Sequence, residues 1–208
     1  LFRTREFEQM EMEFFVEPED DERWFEFWVK ERMEWFQRYG IPAGKLRLRA
    51  HDPDELAHYS RGTSDIEFDF PFGWSEIEGI ARRGDYDLRQ HQETSGKDMT
   101  YFDQAKNEHV LPWVVEPSAG VDRGALAFLT EAYAEEEVES AKGKLETRTV
   151  LRLDPRLAPT KVAFFPLIKK ESLQELAHRL QDEARFEWMT FYDETGAIGR
   201  RYRRQDEV

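Results

Sequence analysis

Two separated stretches of the chain decide the fold: LFRTREFEQMEMEFF at residues 1–15 and PWVVEPSAGVDRGAL at residues 112–126. From residue 6 to residue 15 the first stretch alternates, so its side chains fall on two faces of a predicted strand. One face carries Phe7, Gln9, Glu11 and Glu13, and the other carries Met10, Met12 and Phe14. An apolar back face combined with a carboxylate-bearing front face favours a strand that lines the floor of a site.

The second stretch begins as a short apolar strand at residues 112–115 and leads into a helix, predicted over residues 123–134 with Asp122 as its cap. Glu116 and Ser118 are two positions apart on an extended segment, so both face the same way and both accept hydrogen bonds from an ammonium group. Arg123 lies where the helix begins, and backbone N–H groups together with a guanidinium suit a phosphate. This stretch therefore combines hydrogen-bond acceptors on one face with a positively charged helix start.

The composition narrows the class of protein. The 208 residues carry a net charge of −14, which argues against general nucleic-acid binding, although arginines cluster near the C-terminus at Arg200, Arg201, Arg203 and Arg204. A run of about 18 apolar residues, as a membrane span requires, is missing. The chain has no cysteine, which excludes disulfides, thiolate metal sites and cysteine nucleophiles, and favours a cytoplasmic protein.

Periodicity divides the chain near residues 152–160. Before that point, a helix is predicted over residues 21–39 and strands over 45–49 and 66–70, which indicates a mostly antiparallel α+β part. After it, a strand at 162–167, a helix with a Ser172–Glu175 capping box and a strand at 186–192 indicate a small α/β part with a parallel pair.

The central block carries the most specific pattern: GWSEIEGIARR at residues 73–83, YDL at residues 86–88 and His91. With Arg3-x-x-x-Phe7-x-x-x-Glu11 and the GVDR of residues 120–123, it resembles the dimeric type of glycyl-tRNA synthetase, a class II aminoacyl-tRNA synthetase. The resemblance implies an incomplete class II antiparallel-sheet catalytic domain in residues 1–151, with an insert at about 17–64. The start of an α/β anticodon-binding domain would follow in residues 152–208.

The same resemblance implies an activity and its partners. A glycine–tRNA ligase uses ATP, with Mg²⁺, to activate glycine as glycyl-adenylate and then transfers it to tRNA(Gly); the intact parent is expected to be a cytoplasmic homodimer. The chain resembles a fragment that runs from within the second motif to within the anticodon-binding domain. We expect such a fragment to be inactive or feeble alone.

Site roles also follow from the resemblance. Arg3 would reach the γ-phosphate of ATP and Phe7 would stack on the adenine, about 13 Å along the strand from Glu11. The implied ATP contacts are Arg3, Phe7, Glu76 and Arg123; the glycine contacts are Glu11, Arg83, Glu116 and Ser118; the catalytic residues are Arg83 and Arg123; and the tRNA contacts are Arg200, Arg201, Arg203 and Arg204. Metal ligands stay unassigned, because the spacing of His58, Glu76 and His91 fits no zinc pattern and indicates structural histidines.

Two other interpretations stay open. One is a different class II enzyme, specific for threonine, proline or serine, or a synthetase-like transferase, in which Arg3, Phe7 and Arg123 would be retained. The other is a non-catalytic RNA-binding relative with the same fold. Taken singly, each residue also has a structural interpretation: an ordinary amphipathic strand for the first stretch, a salt bridge for Glu116 and a solvated helix start for Arg123.

Overall fold

The computed structural model describes residues 2–58, 60–139 and 143–207. They fall into two compact units, Leu1–Ala127 and Phe128–Val208. The resemblance places the boundary between the catalytic and anticodon-binding domains at residues 151 and 152. That boundary concerns the domains of the family and stays a prediction.

The first unit is built on an antiparallel sheet. In chain order its strands are β1 (Gln9–Glu11), β2 (Phe14–Val16), β3 (Leu46–Ala50), β4 (Gly62–Phe70), β5 (Gly73–Gly84), β6 (Tyr101–Asp103), β7 (Glu108–Val110) and β8 (Trp113–Gly120). Strands β6 and β7 pair only with each other, and the other six form one sheet in the order β1-β8-β5-β4-β3, with β2 also on β8. Its helices are α1 (Asp21–Arg38), α2 (Tyr86–Ser95) and the first part of α3 (Val121–Ala132), with short 3-10 turns at Pro18–Asp20 and Ala43–Lys45.

The first predicted strand forms as two short pieces in one continuous register. Glu11 lies opposite Ser118 in β1, and Phe14 lies opposite Val115 in β2. Between the pieces the Met12 N–H donates to the carbonyl of Pro117 at 3.0 Å. The predicted alternation is therefore preserved, and the carboxylate-bearing side of the sheet is called the front face from here on.

Helix α1 covers the back face of this sheet. The ring of Phe14 packs 4.8 Å from that of Trp24 and 5.3 Å from that of Trp28, measured between centroids. Phe36, further along the helix, is 2% exposed. The aromatic stripe predicted a helix over residues 21–39, and the structure confirms it to within one residue.

The second unit begins within α3, at Phe128, and an antiparallel hairpin of β9 (Tyr133–Glu139) and β10 (Leu145–Leu151) follows. It continues with β11 (Val162–Phe164), α4 (Glu171–Ala184), β12 (Thr190–Tyr192) and α5 (Ile198–Asp206), and β11 and β12 are parallel. The predicted strand–helix–strand unit is confirmed, while the capping box is wrong because α4 begins at Glu171 and its cap, Lys170, makes no side-chain capping bond. The hairpin was not predicted.

The described residues thus combine antiparallel sheets with helices, which confirms the predicted α+β class. Within the described part of the chain, no helix combines the length and the apolar character that crossing a bilayer requires.

Candidate functional site

A cleft of about 300 Å³ lies where the N-terminal segment meets β5 and the junction of β8 with α3. Five of the residues predicted for the site line it: Arg3, Phe7, Glu76, Ser118 and Arg123. The side chain of Phe7 is 63% exposed, so its ring is accessible to a planar ligand. The fold therefore brings both decisive stretches to one place.

Backbone contacts fix the two stretches to each other at the edge of the cleft. The N–H of Glu8 donates to Oδ2 of Asp122 at 3.1 Å, and the N–H of Val121 donates to the carbonyl of Glu8 at 3.0 Å. Helix α3 begins at Val121, one residue before the expected cap, so Asp122 serves the neighbouring segment instead of capping its own helix.

Arg123 is held at the mouth of the cleft. Its Nη1 donates to the carbonyl of Glu76 at 3.1 Å and to Oε2 of the same residue at 3.2 Å. Its guanidinium carbon lies 4.5 Å from the ring centre of Phe2, which packs edge-on against the Phe70 ring at 5.3 Å. Sequence reasoning missed Phe2, for which the only signal was its place beside Arg3.

Glu11 and Ser118, both predicted glycine contacts, lie opposite each other in β1 and β8. Nε2 of Gln9 donates to Oγ of Ser118 at 2.7 Å and to Oε1 of Glu11 at 2.7 Å, and the Ser118 hydroxyl donates to the same Oε1 at 3.4 Å. Gln9 was placed on this face by the alternation but was not assigned a role. It orients Glu11 and Ser118, two of the predicted glycine contacts.

Arg83 and Glu116 also come together on the front face. Nη1 of Arg83 donates to Oε2 of Glu116 at 2.8 Å, and its other nitrogens donate to both carboxyl oxygens of Asp87 at 2.6 and 3.0 Å. The hydrogen bonds from Arg83 hold the pKa of Asp87 below its ordinary value. Sequence reasoning did not single out Asp87, which lies four residues after Arg83 at the start of α2.

The surroundings of Glu116 disfavour the charged form of its carboxyl group. Burial raises its pKa to about 7; Arg83 acts against this shift, while Glu13 and Glu11 add to it by repulsion. Because the β1 and β2 registers are continuous, Glu13 lies opposite Glu116 on the front face. Like charges in directly opposed positions destabilise a sheet, so a cationic group beside Glu13 and Glu116 would relieve their repulsion. Glu13 was not among the predicted site residues.

The arginines predicted to contact tRNA divide into two groups in α5. Arg200, Arg203 and Arg204 are exposed, whereas Arg201 is 2% exposed and donates to the carbonyls of Pro166 at 2.5 Å and Gly196 at 2.7 Å. The assignment of Arg201 as a surface contact is therefore corrected: its charge is used inside the second unit, to bind carbonyl oxygens.

A metal centre built only from protein side chains is not found in the described ranges, where no three His, Asp or Glu side chains lie close enough together. Nε2 of His58 lies 3.1 Å from the hydroxyl of Tyr86, in keeping with a structural histidine.

Comparison with curated proteins gives relatives that carry one name. No protein-family model matches the chain. Curated relatives named glycine–tRNA ligase match 100% of it, with 53% identity in Streptomyces coelicolor, 53% in Bifidobacterium longum and 55% in Caldanaerobacter subterraneus subsp. tengcongensis. The chain spans 46%, 43% and 44% of the length of these three relatives.

Proposed function

Because the chain belongs, over its whole length, to the glycine–tRNA ligase family, we propose that it is part of an enzyme that activates glycine with ATP and transfers it to tRNA(Gly). The observation that carries this proposal is the cleft, in which an exposed aromatic ring, two arginines and the Ser118 hydroxyl converge from two distant stretches. The antiparallel sheet beneath it is proposed to be the core of a class II synthetase catalytic domain in residues 1–151.

The first reaction needs positive charge and orientation more than acid–base chemistry. An oxygen of the glycine carboxylate attacks the α-phosphorus of ATP and forms a new P–O bond; the bond to the bridging oxygen breaks, and its electron pair leaves with pyrophosphate. Both reactants are anions and the nucleophile is already ionised, so a site that holds them close and in line supplies most of the acceleration. In the second reaction a ribose hydroxyl at the 3′ end of the tRNA displaces AMP from the carbonyl carbon.

The ATP side of the cleft is assigned to Arg3, Phe7, Glu76 and Arg123. Phe7 offers its exposed face to adenine, while Arg3 and Arg123 offer guanidinium groups to the phosphates. Glu76 holds Arg123 through two contacts, which limits the rotamers of that arginine before ATP arrives. Mg²⁺ would enter with ATP on phosphate oxygens and water, and no protein ligand is assigned to it.

The glycine side is assigned to Glu11, Arg83, Glu116 and Ser118. Glu11 and Ser118 lie opposite each other and accept from the ammonium group; Glu116 adds a second carboxyl group that Arg83 orients. An ammonium ion would relieve the repulsion among these carboxyl groups, so binding energy is available for a substrate that carries little else. Arg83 and Arg123 are proposed as the catalytic arginines.

The partners are proposed on the same basis. The exposed arginines of α5, Arg200, Arg203 and Arg204, are proposed to contact tRNA from the anticodon-binding part in residues 152–208. We further propose that the intact enzyme, meaning this chain within the longer polypeptide, works as a homodimer in the cytoplasm.

Glycine-dependent exchange of radiolabelled pyrophosphate into ATP tests the proposal. It should be measured on this chain and on a version extended N-terminally to restore the rest of the class II motifs. Exchange that needs glycine, and is stronger in the extended protein, is expected. A folded extended protein that exchanges only with another amino acid, or with none, would overturn the assignment.

A further inference from the structure

At the centre of β5 the residues on the front face are small. Its residues there are Gly79 and Ala81, which lie opposite Ser118 and Glu116 of β8. On the other side of β5, Gly79 lies opposite Asp65 of β4. One cross-strand row therefore runs from Glu11 through Ser118 and Gly79 to Asp65, and Gly79 is the one position in it without a side chain.

Nothing in the fold itself requires glycine at this position. Gly79 is not among the glycines of positive φ, so its backbone conformation is open to any residue. A Cβ built there would meet Oδ1 of Asp65 at 3.6 Å and Oε1 of Glu76 at 3.7 Å, which are ordinary van der Waals distances. Glycine in the interior of a strand is unfavourable, and one recurrent reason for it is the close approach of a ligand to the backbone.

The space above Gly79 is walled by polar groups that have fixed positions. Oδ2 of Asp65 lies 2.7 Å from Nε2 of His51 and 3.5 Å from Nη1 of Arg49, while its Oδ1 is the atom nearest the Cβ position of Gly79. Asp65 is 8% exposed, so solvent screens its charge weakly. Ser118, which lies opposite Gly79, and Glu76 complete the walls, and both side chains also line the cleft.

We propose that Gly79 is a specificity-determining residue: the space left by its missing side chain, between Ser118, Asp65 and Glu76, receives the ammonium-bearing end of the amino acid substrate. This inference rests on the proposed function and adds to it the residue that sizes the pocket. A carboxylate wall attracts the ammonium group, and the absent Cβ leaves room for the substrate beside the strand. Asp65 is assigned as a positioning residue of this wall.

The test replaces Gly79 by alanine in the intact enzyme, with Gly62→Ala as the matched control. Gly62 lies in the same sheet, in β4, but opposite Arg82; a Cβ there would meet Cδ of Arg82 at 3.5 Å, again an ordinary contact. KM and kcat for glycine and for ATP are measured by pyrophosphate exchange, and thermal unfolding is followed for all three proteins.

Gly79→Ala is expected to raise KM for glycine at least about tenfold, because one methyl group fills the pocket, while KM for ATP stays within about twofold. Gly62→Ala should change neither constant. An unchanged KM for glycine in Gly79→Ala, or a Tm well below that of Gly62→Ala, would overturn the inference, the latter because the space would then be needed by the protein itself. Failure of the unsubstituted enzyme to show glycine-dependent exchange would instead reject the proposed function.

Discussion

Single hydrogen bonds in the cleft connect residues that lie more than a hundred positions apart. Gln9 and Ser118 are separated by 109 positions, and Glu8 and Asp122 by 114. Each contact therefore depends on the whole first unit being folded. The local consequence is pre-organisation: donors and acceptors are already oriented by protein groups, so little ordering is left for the ligand to induce.

Substitutions of Ser118 and of Arg123 should affect glycine and ATP differently, because the two residues are assigned to different sides of the cleft. Ser118→Ala removes a hydroxyl proposed to accept from the ammonium group, and we expect KM for glycine to rise about tenfold or more with ATP little changed, since hydrogen bonds to charged groups contribute about 1.5–3 kcal/mol. Arg123→Ala should mainly raise KM for ATP. Pyrophosphate exchange in the intact enzyme measures both; the same effect on both substrates from either variant would refute the division.

The raised pKa of Glu116 predicts that glycine binding depends on pH. Burial holds the pKa near 7, so below that pH a proton occupies the carboxyl group and must leave before the ammonium group binds. We expect KM for glycine to rise up to about tenfold for each pH unit below 7, and Glu116→Gln to flatten this dependence. A KM that does not change between pH 6 and 8 would contradict it.

The same shift has a consequence for folding. Because the folded-state pKa lies above the ordinary 4.5, the folded protein takes up this proton more readily than the unfolded chain. The stabilising contribution is complete below about pH 4.5 and is lost as pH rises through about 7. Bound glycine should offset part of that loss.

At the scale of elements, charged pairs attach α1 to the back of the sheet. Nε and Nη2 of Arg32 donate to the two carboxyl oxygens of Glu78 at 2.6 and 3.0 Å, and Arg82 of β5 donates to Asp21 at 2.7 Å. Glu78 and Asp21 are each 1% exposed. Strand β5 thus carries the small residues Gly79 and Ala81 on the front face and buried charges on the side of the helix.

Breaking the pair between Arg32 and Glu78 should destabilise the first unit. Burial raises the pKa of Glu78 even with Arg32 present, so Arg32→Met would leave a nearly inaccessible carboxylate without its partner. We expect a loss of about 3–5 kcal/mol in the free energy of unfolding at neutral pH. Urea unfolding followed by tryptophan fluorescence measures it, and Arg32→Met with Glu78→Gln should recover most of the loss; equal stability of the single and double variants would contradict the argument.

Elements with a strong internal pattern were predictable from the sequence, and those defined by a distant partner were not. The tryptophans of α1 lie on one stripe, which predicted the helix. The alternation around Glu11 predicted the strand and the face that its carboxylates share. Both predictions were confirmed. The β9–β10 hairpin was missed because its acidic strand has little apolar alternation and is neutralised only in the fold, where Glu136 accepts from Arg148 and Arg152 at 2.7 Å each.

The family was likewise predictable, since its motifs are local runs of residues, whereas the exact set of site residues was less so. Phe2 and Glu13 enter through packing and cross-strand register, which no spacing rule reveals, whereas Asp87 lies four residues after Arg83, within a quoted motif, and was given no role. The buried Arg201 shows the converse: four arginines in five positions indicate a basic surface, yet the helical turn directs one of them inward.

At the scale of the whole molecule, the net charge of −14 opposes association with a polyanion. Three exposed arginines of α5 are set against this charge, and two of them have acidic neighbours: Arg203 lies 3.5 Å from Glu146, and Arg204 pairs with Asp193. Binding of tRNA to this chain should therefore rest on few phosphate contacts and be easily weakened by salt.

We expect the logarithm of the tRNA association constant to fall with the logarithm of salt concentration with a slope of roughly −2 to −3, as three contacts imply. Arg200→Gln should reduce the magnitude of the slope by about one, because Arg200 is exposed. Filter binding from 50 to 200 mM salt measures it, with Arg23→Gln, at an exposed arginine of α1, as the control. A slope that Arg200→Gln leaves unchanged would remove α5 from the interface.

The pairing of β1 with β8 also delays the folding of β1 during synthesis of the chain. Ser118 leaves the ribosome 107 residues after Glu11, which at about 5–20 residues per second is an interval of roughly 5–20 s. Throughout that interval the segment of residues 9–16, which contains two methionines and two phenylalanines, has no strand partner. The interspersed glutamates at positions 8, 11 and 13 oppose its self-association, so Glu11, which is proposed to bind glycine, would first help to keep the unfinished protein from aggregating.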